Sequence, residues 1–288
     1  MPEGDTIFRA ARTLHRALAG NTIVRFESVL PHLTRVHDDH PLTGRTVDQV
    51  RSAGKHMLMH LSGDLVLHTH MRMNGSWHIY KPGETWQRPR RDMRIVLATA
   101  DYEAVGFNIP VAEFINDRDL RRHPVLGVRA ADSPTAPLEN TLGPDLLAPA
   151  FDRDDALRRL RARGSEPIGD VLLNQRVMAG IGNVYKSETL FVSGVNPFTR
   201  VDALGDSALA RIVDTARKLL TVNVTADMAP MTTYVGFRKT TGKDDPNERL
   251  WVYGRARQEC RRCGAAIQIS KAGKDARLTY WCPTCQPS

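Results

Sequence analysis

CRRCGAAIQISKAGKDARLTYWCPTC, residues 260–285, holds every cysteine of the chain in two C-x2-C pairs, Cys260 with Cys263 and Cys282 with Cys285, eighteen residues apart. Four thiolates at this spacing close a tetrahedral Zn2+ site of the structural kind, which leaves no open position for water or substrate. One structural Zn2+ ion is therefore expected, stabilising the fold and doing no chemistry. The surrounding segment, Trp251 to Ser288, carries seven Lys and Arg against two acids, a net of +5, and is too small for a large core. It needs a staple. Arg255, Arg257, Arg261, Arg262, Lys271, Lys274 and Arg277 flank the cysteines, and Thr279, Tyr280 and Trp281 have strand character, so a basic two-stranded ribbon is expected. Basic ribbons hold phosphates or protein surfaces, and zinc alone leaves the function open.

Upstream, VLLNQRVMAGIGNVYKSETLF (171–191) reads as two apolar-faced helices joined by Gly180-Ile181-Gly182, with Asn183 placed to cap the second. A helix start approached through glycines suits an anion such as a DNA phosphate, although a purely structural turn has the same signature. DDALRRLRAR (154–163) is helical, and so is Asp206–Val224, where Leu209, Ile212, Val213, Ala216, Leu219 and Leu220 share one face. Residues 126–149, rich in Pro, Ala, Asp and Gly, suit a linker.

Before the linker the apolar period changes from 3.6 to two. Val24 and Phe26 alternate with polar neighbours, and Met57–Leu61, Leu65–His70, Met93–Ala98 and Tyr102–Phe107 read as strands. One helix over residues 5–20 precedes them, with Asp5 or Thr6 as cap, an Ile7, Ala11, Leu14 and Leu18 stripe, and Gly20 as stop. The expected organisation is α+β: residues 1–125 β-rich, 126–149 linker, 150–250 helical and 251–288 a zinc finger.

The 288 residues carry a formal charge of +8 and a pI near 9.6, which favours a polyanionic partner. Neither a signal peptide nor a membrane span is expected. A cytoplasmic, nucleoid-associated location follows, with reduced thiols. Nothing resembles an oligomerisation heptad, so a monomer is expected.

Pro2 follows Met1, and a small second residue permits removal of the initiator methionine, leaving a secondary amine. Such an amine can attack a sugar aldehyde carbon to give an iminium, which acidifies the adjacent C–H for elimination. Glu3 is placed to move protons. In isolation MPEG reads rather as a polar chain start, and only its combination with the other motifs favours the nucleophile.

MPEGDT, the AGKHM stretch around Lys55, NQRVMAGIGNVYKSE, VYGRARQECRRCG and RLTYWCPTCQ together resemble the formamidopyrimidine-DNA glycosylase and endonuclease VIII family, across essentially the whole chain. The resemblance implies a β-sandwich with an N-terminal helix, then a helix-two-turns-helix domain ending in a zinc finger. It implies Pro2 as covalent nucleophile, Glu3 as acid and base at the sugar, and Lys55 as a phosphate-binding, proton-donating lysine. Damaged DNA is the implied partner, with no small-molecule cofactor. Asn183 and Arg277 would bind the phosphate flanking the lesion, Gln175 and Lys186 would add DNA contacts, and Arg72, Met73 and Asn74 would fill the void left by a flipped nucleotide.

The PEGDT start is similar to the endonuclease VIII side, and no R-F-G loop stands near Val105–Ile115, so oxidised pyrimidines are the expected lesions. Formamidopyrimidines and 8-oxoguanine come second. Thr6 stands where many relatives carry a second glutamate, so the proton relay near the base does not transfer whole. A zinc-dependent DNA binder without catalysis would explain the charge, ribbon and helical hairpin, and not the pairing of MPEG with Lys55.

Overall fold

The computed structural model of the chain describes residues 2–123, 126, 142–225, 238–273 and 276–287. They fall into two compact units, the first ending before residue 142 and the second starting there.

The first unit opens with α1 (Gly4–Leu18). Ile7, Ala11, Leu14 and Leu18 are all buried, as their spacing predicts. The cap differs from expectation. Glu3 is the extended N-cap residue, no side chain caps the helix, and Asp5 and Thr6 lie inside its first turn. Two four-stranded antiparallel sheets follow. One pairs β1 (Arg25–Ser28), β6 (Met93–Ala98), β7 (Glu103–Phe107) and β5 (Ser76–Tyr80), in that order. The other pairs β2 (Val47–Ala53), β3 (His56–Leu61), β4 (Leu65–His70) and β8 (Val111–Asn116). Residues from both sheets, Ile95 and Leu97 of one and Met57, Met59 and Leu67 of the other, share one core with α1. That is a sandwich.

Among the elements of this unit that the sequence does not announce are α2 (Pro31–Asp39), β2, β5 and β8. Within α2 only Leu33 is buried, so there is little apolar stripe to read. A short helix, α3 (Asp117–Arg122), follows β8 and is capped by Asn116, which accepts from the Asp119 N–H at 2.7 Å.

In the second unit α4 (Arg153–Arg161), α5 (Ile168–Val171), α6 (Asn183–Ser193) and α7 (Asp206–Thr225) enclose a core that includes all six residues expected on the apolar face of α7. The first arm of the expected helix pair is only the single turn of α5. Residues 172–182 run as turns, because Gln175 draws the chain back on itself. β9 (Gln268–Ala272) and β10 (Arg277–Trp281) form the expected ribbon, with Arg277 opposite Ala272.

Of the expected linker, 127–141 lie outside the described residues. Residues 142–149 belong to the second unit, where Leu146 is in the core and Asp145 bridges to Ala179. The ribbon is not a separate body either, since α6 packs on β10 within that unit. No helix among the described residues is long and apolar enough to cross a membrane.

Candidate active site and nucleic-acid interface

In the first unit Pro2 is half-buried and Glu3 is 0% exposed. Glu3 owes its burial to being the hinge between an extended chain start (φ −124°, ψ −176°) and α1, whose first closing bond runs from the Ile7 N–H to the Glu3 carbonyl at 3.1 Å. A carboxylate kept from water is costly unless it is paired, so its position is a chemical commitment. Asp5 is also fully buried, with Arg9 at 3.5 Å and the Thr6 hydroxyl donating to it at 3.4 Å. Thr6 therefore supplies a hydrogen-bond donor to Asp5 where a second glutamate would add charge. The sequence marks Asp5 only as a helix cap.

Lys55 sits half-buried in the two-residue hairpin between β2 and β3. Gly54, the first hairpin residue, has φ +57°, a region such tight turns require and side-chain-bearing residues avoid. α1 packs along β2 and β3, so the helix that begins with Glu3 and the hairpin that carries Lys55 share one scaffold.

Arg72, Met73 and Asn74 are all exposed at the tip of the turn between β4 and β5, flanked by buried Met71 and Trp77. The turn closes through the Gly75 N–H to the Met71 carbonyl at 2.9 Å, and a Cβ on Gly75 would stand 2.6 Å from that oxygen. Arg72 takes φ +45° and donates its N–H to His70 Nδ1 at 2.9 Å. Three solvent-facing side chains thus stand together on a pinned turn, with Met73 54% exposed.

The second unit arranges its residues differently. Gly182, not Asn183, is the N-cap of α6, and it makes no side-chain cap. Asn183 is the first helical residue, and its Nδ2 donates to the Leu278 carbonyl at 2.7 Å, beside Arg277. Asn183 Oδ1 is buried and has no hydrogen-bond partner among the described residues. Arg277 is exposed at the start of β10. Helix start and ribbon thus bring Asn183 and Arg277 to the same place.

Two residues expected to contact DNA make hydrogen bonds within the fold. Lys186 is 1% exposed, and its Nζ donates to Thr279 Oγ1 at 2.8 Å and to the Leu278 carbonyl at 3.3 Å, so it fastens α6 to the ribbon. Gln175 donates from Nε2 to the Leu173 and Ile181 carbonyls, both at 2.9 Å, and accepts the Gly180 N–H at 3.0 Å. It shapes the glycine turn. Several ribbon cations are likewise structural. Arg262 lies 4.6 Å from the Phe191 ring centre, and Arg255 and Arg261 donate to backbone carbonyls.

Glu188 was missed entirely. Fully buried, it accepts the N–H groups of Trp251, Val252 and Tyr253, each at 2.8 Å, and the Thr240 hydroxyl. Burial pushes its carboxyl above the usual range, and these donors pull against that. A lone Glu on a helix carries no sequence signal of such a role.

The four cysteines lie together, their sulfurs within 4.8 Å of one another. Cys260 and Cys285 sulfurs are 3.9 Å apart, and those of Cys263 and Cys282 are 3.4 Å apart. Metal–sulfur bonds of about 2.3 Å give a tetrahedron edge of about 3.8 Å, so the set fits Zn2+. Bound there, zinc would supply cross-linking and no chemistry.

Residues 1–110 match the formamidopyrimidine-DNA glycosylase N-terminal domain, residues 142–234 its H2TH domain, and residues 257–287 the zinc finger found in FPG and IleRS. A protein called probable endonuclease 8 2, from Streptomyces coelicolor, is 42% identical over 289 residues, covering 99% of this chain and 94% of that protein. The DNA-(apurinic or apyrimidinic site) lyase Nei2 of Mycolicibacterium smegmatis is 39% identical over 99% of both chains. In fold, the chain is similar over its whole length to Lactococcus lactis formamidopyrimidine-DNA glycosylase bound to AP-site DNA, with a TM-score of 0.78 at 23% identity and 100% of that chain covered. Sandwich, helix-two-turns-helix and four-cysteine ribbon together define the class. The chain belongs to the formamidopyrimidine-DNA glycosylase and endonuclease VIII family, on its endonuclease VIII-like side.

Proposed function

We propose that this chain is a bifunctional DNA glycosylase and AP lyase of base excision repair that removes oxidised pyrimidines through an N-terminal proline iminium. The observation that carries this is the fully buried carboxylate of Glu3, next to Pro2, at the start of α1.

After loss of Met1, the Pro2 secondary amine attacks C1′ of the flipped nucleotide. The C1′–N bond to the base breaks, the base leaves with a proton, and the sugar opens to an iminium. Glu3 moves the protons that opening requires. The iminium acidifies C2′–H, and abstraction of that proton expels the 3′-phosphate by β-elimination. A second elimination releases the 5′-phosphate, and water adds to the iminium carbon, whose C–N bond then breaks to free Pro2. Lys55 binds backbone phosphate and donates a proton. Asn183 and Arg277 hold the phosphate flanking the lesion, while Arg72, Met73 and Asn74 occupy the vacated stack.

Similarity to relatives named endonuclease 8 and Nei2 lyase supports the pyrimidine branch and the lyase step. The working form is a monomer with one structural zinc and no small-molecule cofactor, acting at the nucleoid in the cytoplasm.

The test is borohydride trapping. Protein whose N-terminus has been established by mass is incubated with end-labelled duplex carrying one oxidised pyrimidine, one oxidised purine or an abasic site. A covalent complex mapping to the N-terminal peptide, strongest with the pyrimidine and reduced in Pro2→Gly and Glu3→Gln, is expected. DNA binding without any trapped species would favour a non-catalytic zinc-containing binder.

A further inference from the structure

The outer face of the β2-β3-β4-β8 sheet carries a polar column that the proposed chemistry does not use. Glu113 on β8 stands opposite His68 on β4, and His56 on β3 stands opposite His70 on β4. His68 Nδ1 lies 2.8 Å from Glu113 Oε1, and His68 Nε2 lies 2.9 Å from His56 Nδ1. The His56 and His70 rings meet edge to face, their centres 4.7 Å apart. His68 is buried, and Leu58, Val66, Leu120 and Leu126 are buried on the same face.

The proton positions follow from the partners. A carboxylate only accepts, so His68 Nδ1–H donates to Glu113 and His68 Nε2 accepts from His56 Nδ1–H. His56 Nε2 is left as the acceptor end of the chain, on the residue next to Lys55, with no partner among the described residues. Because His70 Nδ1 accepts the Arg72 N–H, the proton of its neutral ring is on Nε2. His123 Nδ1 accepts the Leu126 N–H at 3.1 Å, so its Nε2–H faces Glu113 at 3.5 Å.

His68, Glu113 and His123 also have the donor set of a metal site. The hydrogen bonds argue otherwise, because a metal on that carboxylate would need a bare Nε2 on His123, whose proton is held there by the Leu126 N–H.

We propose that Glu113, His68 and His56 form a hydrogen-bonded relay that positions Lys55 for strand cleavage, and that His70 couples the same hairpin to the wedge turn at Arg72. The relay fixes His56 in one tautomer, so that the hairpin end presents Lys55 as its cation beside two uncharged rings. Burial, then repulsion from His70, His68, His123 and Lys55, takes His56 down to about 3. Burial, then Arg72, Lys55 and His68, takes His70 down to about 4. His68 is lowered by burial and His123, against which Glu113 works. Among the described residues Lys55 and Arg72 also stand near the column, and further along the same face of β2 and β3 Arg51 Nε donates to His60 Nε2 at 3.1 Å.

The proposal rests on Lys55 acting at the DNA backbone as proposed above. It is tested on the full-length zinc-loaded protein by imidazole nitrogen NMR together with single-turnover cleavage of an abasic duplex. Wild type is expected to show Nδ1–H tautomers for both His56 and His68. Glu113→Ala, at a half-exposed position, is expected to release His56 to a mixture of tautomers. It should also slow cleavage at saturating DNA on the order of tenfold, below the 10²–10⁴ of proton transfer itself, with DNA affinity unchanged. Glu113→Asp should recover most of the rate. Released tautomers with an unchanged cleavage rate would overturn the relay. A second bound zinc in wild type, lost in Glu113→Ala, would overturn it in favour of a metal site. Fixed tautomers in a wild-type protein that cleaves nothing would overturn the lyase reading of Lys55, a failure distinct from that of the relay.

Discussion

All ten histidines of this chain precede residue 124 and all four cysteines follow residue 259, so the two units are held by opposite chemistries. The first unit is a sandwich with a large apolar core, able to place buried imidazoles and carboxylates around its helix start and hairpin ends. The ribbon of the second unit has a small core, with Val252, Ile267 and Tyr280 among its few buried apolar residues, and depends on four thiolates and on Glu188. The groups proposed to react sit where the scaffold needs no staple. The stapled part presents the exposed Arg277.

The sharpest way to break this comparison is to remove zinc. Structural zinc is worth about 10–16 kcal/mol in finger peptides. Chelation should therefore abolish hydrogen-exchange protection in residues 251–287 while the sandwich strands keep theirs, and equal loss in both units would sink the division. Next in size is Glu188→Ala, which leaves three buried N–H groups without their acceptor. A cost of about 3–5 kcal/mol is expected in denaturant unfolding of the second unit, with that of the first unchanged.

Acid should act on the other unit, and more weakly. His56, His70 and His78 are held below the ordinary 6.5, at about 3, 4 and 4, chiefly by burial. Between pH 6.5 and about 4 the unfolded first unit therefore binds more protons than the folded one. Stability rises with pH through that window and is lost as pH falls. Unit-resolved hydrogen exchange at pH 7 and pH 5 should show weakened protection in the strands before residue 124 ahead of any change in α7.

The smallest expected effect on stability is that of Arg277→Ala, within about 0.5 kcal/mol, because the side chain is exposed. Its effect belongs to binding. Affinity should drop about tenfold and the slope of log affinity against log salt should fall by about one, as for loss of a single phosphate contact. An unchanged slope would place Arg277 off the backbone.

Much of this was legible in the residues. The α1 and α7 stripes, five of the eight sandwich strands and the cysteine ribbon follow from period and spacing, since burial of one face imposes that pattern on the chain. Polar residues resisted. Lys186 and Gln175 lie in a DNA-binding motif and so point to DNA on sequence alone, whereas their hydrogen bonds close within the fold. Asn183 read as a helix cap, and its amide instead reaches 95 residues along the chain to the Leu278 carbonyl.

By itself the sequence determined the family, the zinc ligands, the order of sandwich, helices and ribbon, and the nomination of Pro2, Glu3 and Lys55, because spacing and local apolar pattern are properties of neighbours along the chain. Tertiary structure alone decided that Glu3 is buried, that Glu188 ties α6 to the backbone of residues 251–253, and that Glu113, His68 and His56 form one column. Each depends on strand register or helix packing between residues far apart in the chain, and a polar side chain's partner is set by that geometry, not by its type.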